Sequence, residues 1–539
     1  MIARRAARAL AVVAVFAVLT AIMTWPQALH LASQAVPHQD VYFNMWRLRW
    51  FAHAMVTPSA RLFDANIFFP ETGTLALSDA MLVQGAVAAP LLWLRVAPVL
   101  VHNLMLLGAM TLSGAATFAL VFYLTRSRGA ALLAGMVFAF APYRFEHIMH
   151  MELQWAIWTP LAFLAMHRTL DTGSWKYGLA TGACIALQMM SSIYYGIYLA
   201  TLLPLGVLLL MPADSRASLG RIVAALAAGA VLAGALSFAY ARPYLRVRER
   251  TGDRPGNEVR QFSASPDSYL IATPNNWLYG WPSPQSPDDE LQLFPGVVPV
   301  LLAGFALFRR NPQIRPLVYL FLLVVAFEMS LGAFGFTYPW LHRHIVVYRG
   351  LRAPARAGLF ALMFLAVLVG YGYQRLARGR SPAVRALIVA ALAAALLVEY
   401  HVSLRLLEFP NTAPPIYQLL ASQPRGPLVE FPVPPPDSLP GRDAEYAYMS
   451  TFHWFPLVNG YSGVFPRSYL MLLPKLQTFP DEPSIRRLRD VGVRYIIVHG
   501  STFRDSDWLN FHEYLAQHGV KELGRFDGLD GPAALYEMR

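Results

Sequence analysis

Charge is what this chain has least of: Asp, Glu, Lys and Arg make up 14% of its 539 residues, against about a quarter in an ordinary soluble domain. Cysteine is nearly absent too. Cys184 stands alone inside an apolar segment, which excludes a disulfide framework and a zinc cluster and leaves it as a small core residue. Ionisable residues are almost missing near the middle of the long apolar runs, where ion-coupled transporters need them. No internal repeat is visible. The net charge of +12 would point a soluble protein toward nucleic acid. Here most arginines fall between apolar runs, so membrane topology accounts for most of the excess, and nucleic acid is not an expected partner.

What is present is hydrophobic: 56% of the residues are apolar and 13% aromatic, a richness that suits membrane interfaces. The N-terminus carries Arg4, Arg5 and Arg8 ahead of an apolar run at 10–29. That run is near the roughly 20 residues needed to span a bilayer, and no small-residue cleavage site follows it. It is expected to be a retained first helix with the arginines in the cytoplasm. Further spans are expected at 99–125, 129–143, 154–170, 177–192, 193–211, 220–240, 296–308, 316–334, 358–376 and 383–400, about eleven in all.

Basic residues test that order, since every second connection should be cytoplasmic and rich in Lys or Arg. Those connections hold Arg126 and Arg128; Arg168 and Lys176; Arg216 and Arg221; Arg309, Arg310 and Arg315; and Arg375, Arg378, Arg380 and Arg385. An odd number of spans then puts everything beyond residue 400 outside. The fold class expected is a polytopic α-helical membrane protein, residues 1–400, with an extracytoplasmic α/β domain over 401–539. In that domain Pro432, Pro434, Pro435 and Pro436 cluster and charge returns. Strand-like runs lie at 427–433, 493–499 and 533–538, with an amphipathic helix at 484–491.

Three outer loops, about 30–80, 241–295 and 335–357, depart from the topology pattern. The first contains Asp40, then Phe43, Met45, Trp46 and Trp50 among Arg47, Arg49 and His53, an amphipathic helix suited to the headgroup layer. Asp64, Asn66 and Asp79 follow. The second holds Arg242, Arg246, Arg248, Arg250, Arg254 and Arg260; the third holds His342, Arg343, His344, Arg349, Arg352 and Arg356. Basic residues outside the membrane are not a topology signal. They fit an anionic ligand at the outer surface, because arginine makes forked bonds to phosphate. Gln188, Ser191, Ser192, Glu328 and Glu399 also fall near expected outer ends, so any chemistry belongs at the outer interface.

Taken in order along the chain, these residues resemble the GT-C superfamily of integral-membrane glycosyltransferases, in its bacterial branch with a C-terminal soluble domain. The carriers are Asp40 with the aromatic segment Asn44 to Trp50; Phe63 and Asp64 through Pro70; Ala141, Pro142, Tyr143 and Arg144 with His147 and His150; Ser192, Tyr194 and Tyr195; Leu293 to Gly296; Arg349 to Arg356; and Asn459 to Gly463. The resemblance implies transfer of a sugar from a polyprenyl-phosphate carrier to a glycan, lipid or protein acceptor. It places the reaction at the outer face of a bacterial cytoplasmic membrane. The family's acidic residue in the first outer loop, a base or a metal ligand, maps onto Asp40. The sequence reads His38-Gln39-Asp40 rather than Asp-X-Asp, which leaves a divalent metal open.

On this reading Asp40 is the general base of an inverting displacement, and Asp64 is a second catalytic candidate. Arg352 and Arg356, then Arg242 and Arg246, meet the leaving phosphate, while Arg144, His147, His150, Tyr194 and Tyr195 line the substrate site. Each residue also has a plainer role. Asp40 would cap the helix that follows it, and Asp64 would close a turn with Asn66. The outer arginines would bind headgroups. His147 and His150, on one helical face with Glu152 nearby, would be a metal pair or simple pocket residues. Tyr194 and Tyr195 would be belt tyrosines, and His499 a loop residue. Tyr446, His453, Trp454, Asn459 and Tyr461 form either a sugar-binding surface or packing. Two rival functions remain. A lipid-linked-sugar flippase or other transporter needs a polar path through the membrane. A non-catalytic membrane assembly protein would tolerate loss of the Asp40 charge.

Overall fold

A computed structural model describes residues 2–211, 216–280, 289–307, 314–500, 505–528 and 531–538; Arg309 and Arg310 lie outside the described residues. Every apolar run expected to span becomes a helix. Six are long and apolar enough to cross a membrane among the described residues: Ala6–Met23, Pro98–Thr125, Ile193–Leu210, Leu219–Thr251, Pro354–Leu376 and Pro382–Glu399. The other five, Arg128–Phe140, Trp158–Thr172, Trp175–Ser191, Val297–Leu307 and Ile314–Ser330, run for 11 to 17 residues.

Two boundaries differ from the sequence reading for local reasons. The first helix is Ile2–Met23, not 10–29, because Pro26 cannot continue it and restricts the residue before it. The helix Arg216–Thr251 runs on past 240 and stops before Gly252, which takes φ +81. Arg242, Arg246, Arg248 and Arg250 are therefore helical residues and not part of a loop.

The chain forms two compact units. The first comprises Met1–Leu31, Asn103–Arg242 and Gly252–Leu406; the second comprises Ala32–His102, Pro243–Thr251 and Leu407–Arg539. In the first, the helix Gly358–Leu376 is apolar all round up to Gly370 and is buried on every side from Gly358 to Tyr373, as a core helix must be. It packs against Val297–Leu307, Ile314–Ser330 and Arg128–Phe140. Trp175–Ser191 and Arg216–Thr251 approach until backbones touch. A Cβ on Gly182 would lie 2.0 Å from the Gly229 carbonyl oxygen, and one on Gly178 2.0 Å from that of Ala225. Gly178 and Gly182 are four residues apart, the small-residue spacing that lets membrane helices cross closely.

The second unit holds two sheets. Strands β1 (Gln34–Ala35) and β2 (Leu407–Glu408) pair antiparallel. Strands β3 (Leu428–Phe431), β4 (Tyr495–His499), β5 (Val520–Gly528) and β6 (Gly531–Met538) form a sheet of order β3-β4-β6-β5. Only the β3–β4 pair in it is parallel. The helix Gln39–Val56 packs against Leu82–Trp93 and Asp443–Ser450. Its aromatic residues Phe43, Trp46 and Trp50 are buried, and so is Arg47. This corrects the expectation of a helix lying in the headgroup layer. Arg47 donates to the Asp79 carbonyl at 2.8 Å and to Asn44 Oδ1, and its guanidinium covers the Phe43 ring at 4.4 Å. With those donors engaged, the charged face of the helix can enter a core.

Candidate functional site

Asp40 sits in the first turn of Gln39–Val56, but the cap of that helix is His38, whose Nδ1 accepts the Asp40 N–H at 3.1 Å. The simple capping role therefore belongs to the neighbour. The Asp40 side chain, 13% exposed, lies with Oδ2 3.3 Å from His38 Nδ1. Its Oδ1 accepts from the Tyr461 hydroxyl at 2.9 Å, and the Tyr461 ring meets Phe43 edge-on at 5.0 Å. A carboxylate with a fixed donor on one oxygen and part of its surface open has the orientation and access a general base needs.

Asp64 has a different environment. Its Oδ1 accepts the Gly73 N–H at 2.8 Å and its Oδ2 is 3.9 Å from Arg61, so it closes the loop 64–73. Asn66 is a clamp. Trp46 Nε1 donates to its Oδ1 at 3.1 Å, and its Nδ2 donates to Ser450 Oγ at 2.9 Å and to the Phe455 carbonyl at 3.1 Å.

In the helical unit a second cluster forms around Glu290, which sequence reasoning missed. Arg356 makes a forked pair with it, Nε to Oε1 at 2.9 Å and to Oε2 at 3.1 Å, together with Nη2 to Oε1. The guanidinium also lies over the Tyr194 ring at 4.6 Å. Burial alone would raise the Glu290 carboxyl, but the Arg356 guanidinium holds it well below the usual carboxylate range. His147 Nε2 is 3.7 Å from Glu290 Oε2. Burial, reinforced by nearby cations and only partly opposed by Glu290, pushes His147 down to about 3, so that contact is with a neutral ring. His147 and His150 do not share a helix face. A turn separates the helices Pro142–Glu146 and Met151–Gln154, and the two Nδ1 atoms face each other at 3.3 Å. Among the described residues no three His, Cys, Asp or Glu side chains converge as a metal site.

The remaining expected residues separate by environment. Arg352 is the more open of the arginine pair. Its side chain is 32% exposed, 3.5 Å from Glu258, and Arg254 lies 3.4 Å from the same carboxylate. Two guanidiniums on one carboxylate leave an excess of positive charge. Arg144 is buried and donates to the carbonyls of Leu153 at 3.0 Å and Gln154 at 2.9 Å, which ties down the turn carrying the histidines. Tyr194 accepts the Arg352 N–H at 3.0 Å, and Tyr195 meets the Tyr143 hydroxyl at 3.4 Å. Both are buried, which corrects the belt-tyrosine reading. Arg242 and Arg246 are exposed on their helix. Glu328 and Glu399 serve as caps. Glu399 accepts the N–H groups of Val297 and Val298 at the start of Val297–Leu307, and Glu328 those of Phe336 and Thr337.

The polar–aromatic stretch of the second unit is largely interior. Asn459 donates to the Glu430 carbonyl at 3.0 Å and to Asp443 Oδ1 at 3.1 Å. Glu430 accepts from Tyr417 at 2.7 Å and contacts His499 Nε2 at 3.0 Å, so His499 is the end of a strand with a buried partner. Burial pushes the Asp443 carboxyl up to about 7 against the lowering effect of Tyr469 and Asn459. The signal for this network was present only as isolated acids between apolar residues.

No family model matches the chain, and no curated protein matches it by sequence. Among solved structures it is similar to the arabinofuranosyltransferase AftD from Mycobacteria: 13% identity, TM-score 0.61, over 98% of this chain and 41% of that one. The chain thus spans less than half the length of that protein. It is also matched by the oligosaccharyltransferase of Archaeoglobus fulgidus in its apo form, with 12% identity and TM-score 0.46, over 95% of this chain and 73% of that one. A second structure of that oligosaccharyltransferase, tethered to an acceptor peptide, matches with 12% identity and TM-score 0.43, over 98% of this chain and 74% of that one. The likeness to AftD shows a shared fold over the matched region.

Proposed function

We propose that the chain is an inverting membrane glycosyltransferase. It takes a sugar from a polyprenyl-phosphate carrier and transfers it to an acceptor at the outer face of a bacterial cytoplasmic membrane. All eleven apolar helices cross the bilayer, the N-terminus is cytoplasmic, and the sheet of β3 to β6 belongs to an extracytoplasmic α/β domain. The acceptor hydroxyl attacks the anomeric carbon, Asp40 takes its proton, and the bond from that carbon to the carrier phosphate breaks. The phosphate leaves with the bonding electrons. The observation that carries this reading is Asp40 itself, partly open and oriented by Tyr461 through Oδ1.

A positioned base contributes about 10²–10⁴ in rate. Stabilising the charge on the leaving phosphate is the larger demand, and fixed cations meet it. Within the helical unit Arg352 suits that role better than Arg356. Arg352 shares one partly exposed carboxylate with Arg254, while Arg356 is neutralised by a forked, buried partner. Tyr194 holds the Arg352 backbone and so positions the cation.

The test is carrier-phosphate release by purified protein in lipid, with a panel of radiolabelled polyprenyl-phosphate sugars and cell-envelope acceptors. Release by the wild type and its loss in Asp40→Asn, at equal folded yield, supports the reading. Equal release by both removes Asp40 from the mechanism and directs the test to Asp64. An assembly protein would release nothing yet keep its function with Asp40→Asn.

A further inference from the structure

The second unit contains a groove of about 330 Å³ that none of the roles above uses. It lies between the C-terminal ends of Gln39–Val56 and Leu82–Trp93 and is lined by Arg49, His53, Trp93, Arg95 and Trp454 among others, none of them acidic. Arg49 donates through Nη2 to the Thr451 carbonyl at 3.1 Å and covers the Phe452 ring at 4.4 Å. Its side chain also hydrogen-bonds Tyr448, and it makes no ion pair among the described residues, so its charge is not balanced by an acid beside the groove. Arg95 is exposed and makes no ion pair among the described residues. Arg95 and Trp454 both hold left-handed backbone, φ +60 and +59, and such strain gathers where side chains are aimed at ligands. Trp454 stacks on His53 at 4.1 Å, which closes the groove floor with two flat rings. Burial, with Arg425 nearby, lowers the His53 pKa. The groove's positive charge is therefore that of its arginines.

What borders the groove identifies the rest of the ligand. The helix Leu82–Trp93 has no charged residue. Ala86, Val87, Pro90 and Trp93 are exposed on it at helical spacing, and Leu94, at 77% exposure, continues that face. An apolar helix face without a partner, ending beside unopposed guanidiniums, matches an amphiphile: hydrocarbon along the helix, anion at its end.

We propose that this groove binds the phosphate of an anionic bilayer phospholipid, with the lipid's chains lying along the exposed face of Leu82–Trp93. The lipid is a resident of the enzyme's surroundings and not its substrate. Its binding does not depend on the glycosyltransferase reading.

The experiment is native mass spectrometry of the full-length protein in detergent, titrated with phosphatidylglycerol. Parallel titrations use phosphatidylcholine, a polyprenyl phosphate and soluble glycerol 3-phosphate. Arg95→Gln is compared with wild type; its exposed side chain makes folding safe, and matching thermal unfolding checks this. The expected result is saturable retention of phosphatidylglycerol over phosphatidylcholine, weakened about five-fold by Arg95→Gln. Equal retention of the two phospholipids, or no change in the variant, overturns the proposal. Displacement of phosphatidylglycerol by equimolar polyprenyl phosphate overturns the assigned occupant in favour of a carrier lipid. Equally tight binding of glycerol 3-phosphate overturns the role of the apolar face.

Discussion

The Tyr461 hydroxyl donates to Asp40 Oδ1 at 2.9 Å, joining residues 421 positions apart. If Asp40 is the base, Tyr461→Phe removes one hydrogen bond to a charged group. That is worth about 1.5–3 kcal/mol, or about ten- to a hundred-fold in rate. Asp40→Asn removes the base and costs about 10²–10⁴. The expected ordering is wild type, then Tyr461→Phe, then Asp40→Asn, in kcat for sugar transfer with unchanged thermal unfolding. A Tyr461→Phe enzyme at full rate would reduce the contact to packing.

Arg352 and Arg356 lie four residues apart, yet their variants should fail in different ways. Arg356→Met strands the buried Glu290 carboxylate and should cost about 3–5 kcal/mol of stability, seen as loss of folded protein on size exclusion. Arg356→Met combined with Glu290→Leu should recover much of that yield. Arg352→Gln, at a partly open site, should leave folding intact and lower transfer by at least about ten-fold. Loss of folding in Arg352→Gln would remove the distinction.

Asp443 gives the second unit a pH dependence of definite sign. Its carboxyl titrates near 7 in the folded protein against 3.8 in an unfolded chain, so the folded state holds the proton more tightly. The resulting stabilisation is complete below about pH 4 and is lost as pH rises through about 7. Wild type should therefore unfold about 5 °C lower at pH 8 than at pH 5. Asp443→Asn, which keeps the size and cannot ionise, should flatten that difference. Differential scanning fluorimetry of both proteins across this range is the check, and a parallel decline in the variant would assign the effect to another group.

Gly182 and Gly229 set one of the closest helix crossings among the described residues. Gly182→Leu forces the backbones apart and should cost more than the roughly 1–3 kcal/mol of ordinary overpacking, because a carbonyl oxygen and not a side chain stands in the way. Gly108→Leu, at a glycine with open space around it, is the matched control. Folded yields from equal membrane quantities would compare the two, and equal yields would contradict the close approach.

Eleven apolar helices were legible because the pattern is local, while the apolar helix Leu82–Trp93 was not read. Their ends were less so: the apolar run passes through Pro26 to residue 29, and the span expected at 220–240 stops short of the breaker at Gly252. Three of the four long-range strands could be read. Strand β5, Val-Lys-Glu-Leu-Gly-Arg-Phe-Asp-Gly, could not, since an edge strand with two glycines and a β-bulge beside Glu522 lacks alternation. The position of Asp40 at the start of an aromatic helix was legible. That the helix is interior was not, because burial of Arg47 depends on a carbonyl from residue 79. Glu290 was invisible for the same reason. A buried acid declares itself only through its partner, and Arg356 is 66 residues away.

The Asn66 clamp has a consequence for biogenesis. It links Trp46 to Ser450 and Phe455, the last two 384 and 389 residues beyond Asn66. At translation rates of about 5–20 residues per second, that interval lasts about 20–80 s. Throughout it the helix Gln39–Val56 has been made while its covering helix, Asp443–Ser450, has not. The first segment of the second unit must wait, incompletely covered, until those residues are made. A chain stopped after its last apolar helix would carry that exposed aromatic surface permanently, as a target for quality-control proteases.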